Sequence, residues 1–242
     1  MHEDDLLPFP EDWQRALAIV AHPDDLEYGA ASAIAGWTAA GKEVVYALVT
    51  SGEAGIDRMH PEQAGPLREA EERAGAREVG VDDVEFLGHA DGVLEYGLAL
   101  RRDIARAIRR HRPDLVITGN QHPTWPGGGL NMADHRVVGQ AVIDGVRDAA
   151  NRWVFTDLLD EGLEPWPGAR RIALNASPLA THAVDVTATI ERGVASLRAH
   201  AAYIAELGDV DFDPDGFLRG AATHAGERFG GRLAVSFELI EW

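Results

Sequence analysis

Strand-like and helix-like segments alternate through roughly the first two-thirds of this chain, and each strand-like segment runs directly into polar residues. Residues 16–21 (ALAIVA) form the short apolar run expected of a strand buried on both faces. Residues 29–40 are Ala-rich and suit a helix, and 44–50 (VVYALVT) read as a second strand. A partly exposed helix is expected over 66–80, rich in Arg, Glu and Ala, and a third, short strand over 84–87. Leu100, Ile104, Ala107 and Ile108 then share one helical face. Arg109, Arg110 and Arg112 favour the negative C-terminal end of that helix, and Pro113 stops it. Residues 115–118 (LVIT) give a fourth strand, and 119–131, with three consecutive glycines and two prolines, a loop. Another helix follows, with Val138, Ala141, Val142, Gly145, Val146 and Ala149 on one side.

Such alternation implies an α/β fold with a mostly parallel sheet and right-handed crossovers. The pattern weakens after residue 151: 171–175 and 183–187 read as strands, 190–207 as a helix, and the rest is ambiguous. A length of 242 residues favours one domain, with a core over about 15–150 and a C-terminal elaboration over about 151–242.

Sheets of this kind bind ligands beyond the C-terminal ends of their strands. The first strand ends at His22-Pro23-Asp24-Asp25, the second at Thr50-Ser51-Gly52-Glu53, the third near His89-Ala90-Asp91-Gly92 and the fourth at Thr118-Gly119-Asn120. Surface loops are polar in any case, so the density of ligating groups at the first of these ends matters more than polarity alone.

Composition removes several kinds of chemistry. The chain has no cysteine, which excludes disulfides, Cys-zinc sites, iron–sulfur clusters and thiol nucleophiles. A net charge of −18 opposes non-specific binding to nucleic acid or to an anionic membrane. No apolar run approaches the ~20 residues that span a bilayer. The acidic, proline-bearing start (MHEDDLLPFPEDW) lacks the basic-then-apolar order of a signal peptide, so a cytoplasmic protein is expected.

His22, Asp24 and Asp25 stand where a strand ends and a helix soon begins, and Pro23 restricts the bend between them. Two adjacent carboxylates repel, which a cation relieves. In an extended turn their side chains point apart, so one can bind a metal while the other faces a water on it. Asp134-His135, after the glycine-rich loop, offers the second half of a site. His22, Asp25 and His135 make a His₂Asp set with open positions, which suits catalytic zinc. Ferrous iron accepts the same donors. The alternative is that His22 and Asp25 merely cap the next helix; Asp is a common cap, and ten histidines bring some together by chance.

Ala21-His22-Pro23-Asp24-Asp25 with Glu27 and Gly29, and the later Asp134-His135, resemble the PIG-L/LmbE-like family of zinc-dependent N-acetyl-sugar deacetylases, which also includes amidases of sugar-linked thiols. Thr50-Ser51-Gly52-Glu53-Ala54-Gly55, Arg68-Glu69-Ala70-Glu71 and Asp91-Gly92 match as well. The correspondence is close over about 15–150 and loose beyond. It implies a Rossmann-like three-layer sandwich and zinc held by His22, Asp25 and His135. It makes Asp24 the general base to a zinc-bound water and Asp134 a residue behind the ligands that orients them. Arg68 and Asp91 fall near the sugar by the same resemblance. Read without it, they are a surface ion pair and a turn residue. The implied partner is a small N-acylated amino sugar or glycoconjugate. Relatives often assemble into dimers or hexamers, so a homo-oligomer is compatible with the resemblance, though the sequence fixes no oligomeric state.

One departure stands out. Many members carry His-Pro-Asp-His, whose first His stabilises the oxyanion or acts as acid; the matching stretch is Met132-Ala133-Asp134-His135. Met132 can do neither. A tyrosine used by some members is replaced by Leu130. Either His122 or His224 substitutes, or Asp24 serves as both base and acid; solvated loop histidines are the plainer account of the first two. His200, on a face with Leu197 and Ile204, is expected to be a packed core-edge residue. Glu53 is placed at the rim, and Trp125 either stacks on a sugar or anchors its loop.

Deacetylation of an N-acylated amino sugar is therefore the leading expectation. An amidase cutting a larger conjugate shares its chemistry. A non-catalytic sugar-binding protein is the second class, but it has no need of the full His22, Asp24, Asp25 and His135 set. A dinucleotide-dependent oxidoreductase fits the fold type but lacks a Gly-x-Gly-x-x-Gly turn after the first strand.

Overall fold

The computed structural model describes residues 5–207 and 212–242, so the first four residues of the acidic N-terminal stretch lie outside it. Strand β1 is Leu7–Pro8 and β2 is Arg15–Val20; helices α1 (Asp25–Gly29) and α2 (Ala31–Ala39) lead to β3 (Glu43–Leu48). Helix α3 (Pro61–Glu78), β4 (Val84–Phe86), α4 (Leu98–His111), β5 (Leu115–Thr118) and α5 (Ala133–Ala150) continue the alternation. Then come α6 (Asp157–Asp160), β6 (Arg171–Asn175), β7 (His182–Asp185), α7 (Ile190–Arg198), α8 (Ala201–Glu206), α9 (Pro214–Glu227) and β8 (Ala234–Glu241).

All eight strands join one sheet in the order β1-β7-β8-β6-β5-β2-β3-β4. Every pairing is parallel except those of β8, which runs antiparallel to both β6 and β7. Alternate residues of β2 feed opposite faces, as the two-residue period of a strand requires. Ala16, Ala18 and Val20 pack with Ile34 of α2, Ala76 of α3, Leu197 of α7 and Leu218 of α9. Leu17 and Ile19 pack with Ile104 of α4, Val142 of α5 and Leu158 of α6. Helices thus cover both faces, giving the three layers of a Rossmann-like sandwich.

From β2 the chain first builds outward through β3 and β4, then returns to place β5 on the other side of β2. The order reverses there, which opens a crevice beyond the C-terminal ends of β2 and β5. His22 follows β2 and His135 opens α5 after β5, so the topology carries both to that crevice.

Several boundaries differ from the expectation. The helix expected over 29–40 is preceded by α1, whose first residue is Asp25. Helix α3 begins at Pro61, where His60 accepts a hydrogen bond from the Glu62 N–H, and Pro66 lies inside it. Proline favours the first turn, and the earlier of two prolines holds that place. The helix expected over 190–207 breaks at His200 into α7 and α8. The region beyond residue 151 supplies three strands of the same sheet, so it is integral to the core. Among the described residues, no helix is long and apolar enough to cross a membrane.

Candidate metal centre

The His22 ring brings Nδ1 to 3.1 Å from His135 Nε2. Asp25 meets both rings, with Oδ1 at 3.0 Å from His135 Nε2 and Oδ2 at 3.8 Å from His22 Nδ1. Asp25 is fixed by its own turn, because Oδ2 also accepts from the N–H groups of Ala21 and His22 at 3.0 and 2.9 Å.

The outward nitrogens decide what the inward ones can be. His22 Nε2 stands 3.0 Å from Asp91 Oδ1 and 3.4 Å from Asp134 Oδ2. His135 Nδ1 stands 3.1 Å from Asn131 Oδ1. Each outward nitrogen faces oxygen acceptors and so carries the proton of a neutral ring. Each inward nitrogen is then a lone pair, and the two lone pairs face each other beside a carboxylate. Two acceptors cannot bond each other, whereas a divalent cation satisfies all three groups. The residues present therefore fit a metal, and two imidazoles with one carboxylate suit zinc or ferrous iron.

The surrounding carboxylates draw positive charge to the two rings, whether it comes as protons or as a cation. Burial works to lower the His22 pKa, but hydrogen bonds to Asp134, Asp25 and Asp91 outweigh it and push it up to about 12. Burial works to raise Asp25, yet the His135 charge and hydrogen bond, aided by His22, hold it well below the ordinary carboxylate range. The pocket favours positive charge at this point.

Asp24 is the N-cap of α1, yet its side chain makes no cap bond. Its Oδ2 accepts from Arg68 Nη2 at 3.1 Å, and the same nitrogen also donates to the Pro23 carbonyl. Burial pushes the Asp24 carboxyl up to about 7, against the lowering charge of Arg68 and with the help of Asp25.

The family model for PIG-L, the GlcNAc-PI de-N-acetylase, matches residues 17–146, more than half of the chain. The chain belongs to the PIG-L family. A diacetylchitobiose deacetylase from Thermococcus kodakarensis is 28% identical over 96% of this chain and 85% of its own. A 1D-myo-inositol 2-acetamido-2-deoxy-alpha-D-glucopyranoside deacetylase from Kineococcus radiotolerans is 27% identical, covering 79% of this chain and 69% of its own. Among solved structures, the N,N'-diacetylchitobiose deacetylase from Pyrococcus horikoshii superposes with a TM-score of 0.86 at 27% identity. That likeness covers 95% of this chain and 85% of the other.

In this PIG-L chain, His22, Asp24, Asp25 and His135 all line one cavity of about 800 Å³, together with Arg68 and Asp91. Arg68 is buried rather than on the surface, and its guanidinium stacks 3.7 Å from the centre of the Tyr203 ring. Asp91 has both oxygens engaged: Oδ1 with His22 and Oδ2 with the Ala54 N–H at 2.8 Å. Asp134 accepts from the Gly92 and Leu94 N–H groups as well as facing His22. Glu53 accepts from the Asp91 N–H at 2.9 Å. Trp125 lies edge-on to the His135 ring, with centroids 5.4 Å apart, and lines the cavity.

The candidate substitutes for the histidine missing at Met132 are His122 and His224. His122 pairs with Glu238 at 2.7 Å and does not line the cavity. His224 lines it from α9, but its side chain is 81% exposed. Leu130 and Met132 are exposed, and Met132 reaches the cavity wall. His200 is fully buried, more enclosed than a core-edge position, beside Glu27 and Glu72.

The sequence reading missed Asn131 and Glu72. Asn131 gives its amide N–H groups to the Asn120 and His122 carbonyls, which turns its oxygen toward His135. Glu72 accepts the Asp24 N–H at 3.0 Å. Asn131 lies in a glycine-rich loop and Glu72 in a helix dense with charge, where neither stands out by residue type.

Proposed function

We propose that this chain is a metal-dependent hydrolase that removes an acetyl or other acyl group from the amine of an N-acylated amino sugar or sugar conjugate. His22, Asp25 and His135 hold the metal, zinc by preference and ferrous iron as the alternative. The observation that carries this reading is the convergence of His22 Nδ1, His135 Nε2 and Asp25, with the far ring nitrogens facing oxygens of Asp91, Asp134 and Asn131. The family match and the deacetylase relatives point to the same bond.

When bound, such a metal lowers the pKa of a coordinated water and polarises an acyl carbonyl. The protein's part is proton handling and alignment. Asp24, with Oδ2 held by Arg68, takes the proton of the attacking water on Oδ1. As the carbon–nitrogen bond breaks, Asp24 returns that proton to the amine, so one carboxyl serves as base and then acid. Supporting this dual use, Met132 carries no proton, His122 pairs with Glu238 away from the cavity lining, and the His224 side chain is mostly in solvent. Water and amide become amine and carboxylic acid, and the acid's proton passes to the amine to leave ammonium and carboxylate, with no net proton left on Asp24. Asp91 and Asp134 fix the His22 ring, and Asn131 fixes His135.

A cavity of about 800 Å³ leaves room for more than one sugar ring, which keeps larger conjugates among the substrates. The deciding experiment assays released primary amine from N-acetylglucosamine, its glycosides and lipid-linked forms, using zinc-loaded protein with Asp24→Asn as control. Turnover on at least one of these, lost in the variant, is expected. Zinc binding with no turnover on any of them would favour a non-catalytic sugar-binding role.

A further inference from the structure

We propose that Glu72 is a positioning residue that sets the backbone of Asp24 for proton transfer, an inference that rests on Asp24 being the base. Asp24 has φ 93° and ψ −19°, a left-handed conformation that side chains other than glycine rarely adopt. Contacts from outside the turn hold it there. Helix α3 supplies that hold from one face: Arg68 and Glu72, four residues apart, point the same way. Arg68 donates to the Pro23 carbonyl and to Asp24 Oδ2, and Glu72 Oε2 accepts the Asp24 N–H at 3.0 Å. The turn is thus gripped by the carbonyl before it, its own amide and its carboxylate.

Glu72 is itself backed by a closed wall. His200 Nε2 lies 3.7 Å from Glu72 Oε2 and 3.8 Å from Glu27 Oε2. Ser196 Oγ donates to the Gly75 carbonyl at 2.8 Å and lies 3.2 Å from Glu27 Oε1. A methyl group on Gly75 would stand 3.0 Å from the Ser196 carbonyl and 3.2 Å from His200 Nε2, so α3 has no slack against α7. Glu27, Glu72 and His200 are all fully or almost fully buried. A buried carboxyl is costly wherever an apolar side chain would pack. At residue 72 that carboxyl presents one oxygen as an acceptor to the Asp24 N–H.

The test compares Glu72→Gln, which keeps a carbonyl oxygen in place, with Glu72→Met, which keeps length but removes the strong acceptor. Glu72→Met should lower kcat roughly a hundredfold, as small misplacements of a reacting group do, with KM, metal content and unfolding midpoint near those of the parent. Glu72→Gln should stay within a few-fold of the parent. A Glu72→Met kcat equal to the parent's, or a Glu72→Gln as impaired as Glu72→Met, would overturn the role. So would a second metal per chain that both variants lose, because the cluster would then be a metal site. Should Glu72→Met fail to fold, hydrogen exchange in the unaltered protein decides: the Asp24 amide is expected to be protected, and rapid exchange there overturns the proposal. Full activity in Asp24→Asn would instead remove the base assignment, leaving a result distinguishable from failure at Glu72.

Discussion

His22 and His135, 113 residues apart in the chain, bring ring nitrogens to 3.1 Å while their far nitrogens are each claimed by side-chain oxygens. Neither ring could be placed this way by its own segment. Strand β2 delivers one and the N-terminus of α5 the other, on the two sides of the point where strand order reverses.

Asn131 should control metal affinity without touching the metal. Asn131→Ala removes the acceptor for His135 Nδ1–H and frees the ring to rotate. Affinity for zinc is expected to fall about 10–100-fold, read by competition with a chromophoric chelator. An unchanged affinity would show that Trp125 and the helix alone orient the ring.

Asp24→Asn should leave metal content intact and abolish most turnover, because the amide cannot accept the water's proton. The pH profile carries a sign. The base works ionised, burial raises its pKa to about 7, and Arg68 lowers it. A bound cation acts in the same direction as Arg68. The acid limb of kcat/KM should therefore lie not above about 7. Activity should fall as pH drops through it. Arg68→Met should move the limb to higher pH; a limb that stays or moves lower contradicts the pairing.

Chelation should abolish turnover and lower the thermal midpoint, since metal bound to the folded state stabilises it by mass action. Zinc or ferrous iron should restore both. Activity that survives exhaustive dialysis against chelator, with metal analysis at background, would rule out a metal requirement.

Gly145→Ala tests the packing that carries His135. A methyl group there would meet Ile104 Cγ2 at 2.5 Å, across the α4–α5 contact. Helix propensity alone favours Ala by about 1 kcal/mol, whereas overpacking a tight core costs about 1–3 kcal/mol. The clash should win, and the urea midpoint should fall. A neutral or stabilising result would mean that these helices can separate without loss.

The sequence was most legible where one side chain's chemistry and one strand's burial coincide. Residues 115–118 are the strand β5 itself, and the His-Pro-Asp-Asp turn follows β2 as expected. Legibility failed where partners come from afar. Strand β8 has a mixed burial pattern and runs antiparallel between β6 and β7, and nothing local announces that pairing. Glu72 looks like any charged residue of α3 until His200, from the break between α7 and α8, closes over it. The sequence offers Arg68 as a neighbour of the sugar or a surface pair; the structure buries it at the cavity wall against Asp24 and Pro23, a contact only the fold creates.

The most direct measurement is an anomalous difference map at the zinc edge from crystals of zinc-loaded protein. The account predicts one strong peak in bonding contact with His22 Nδ1, His135 Nε2 and an Asp25 oxygen. A peak bound elsewhere, or none between those two rings in protein that analysis shows to carry zinc, would contradict it.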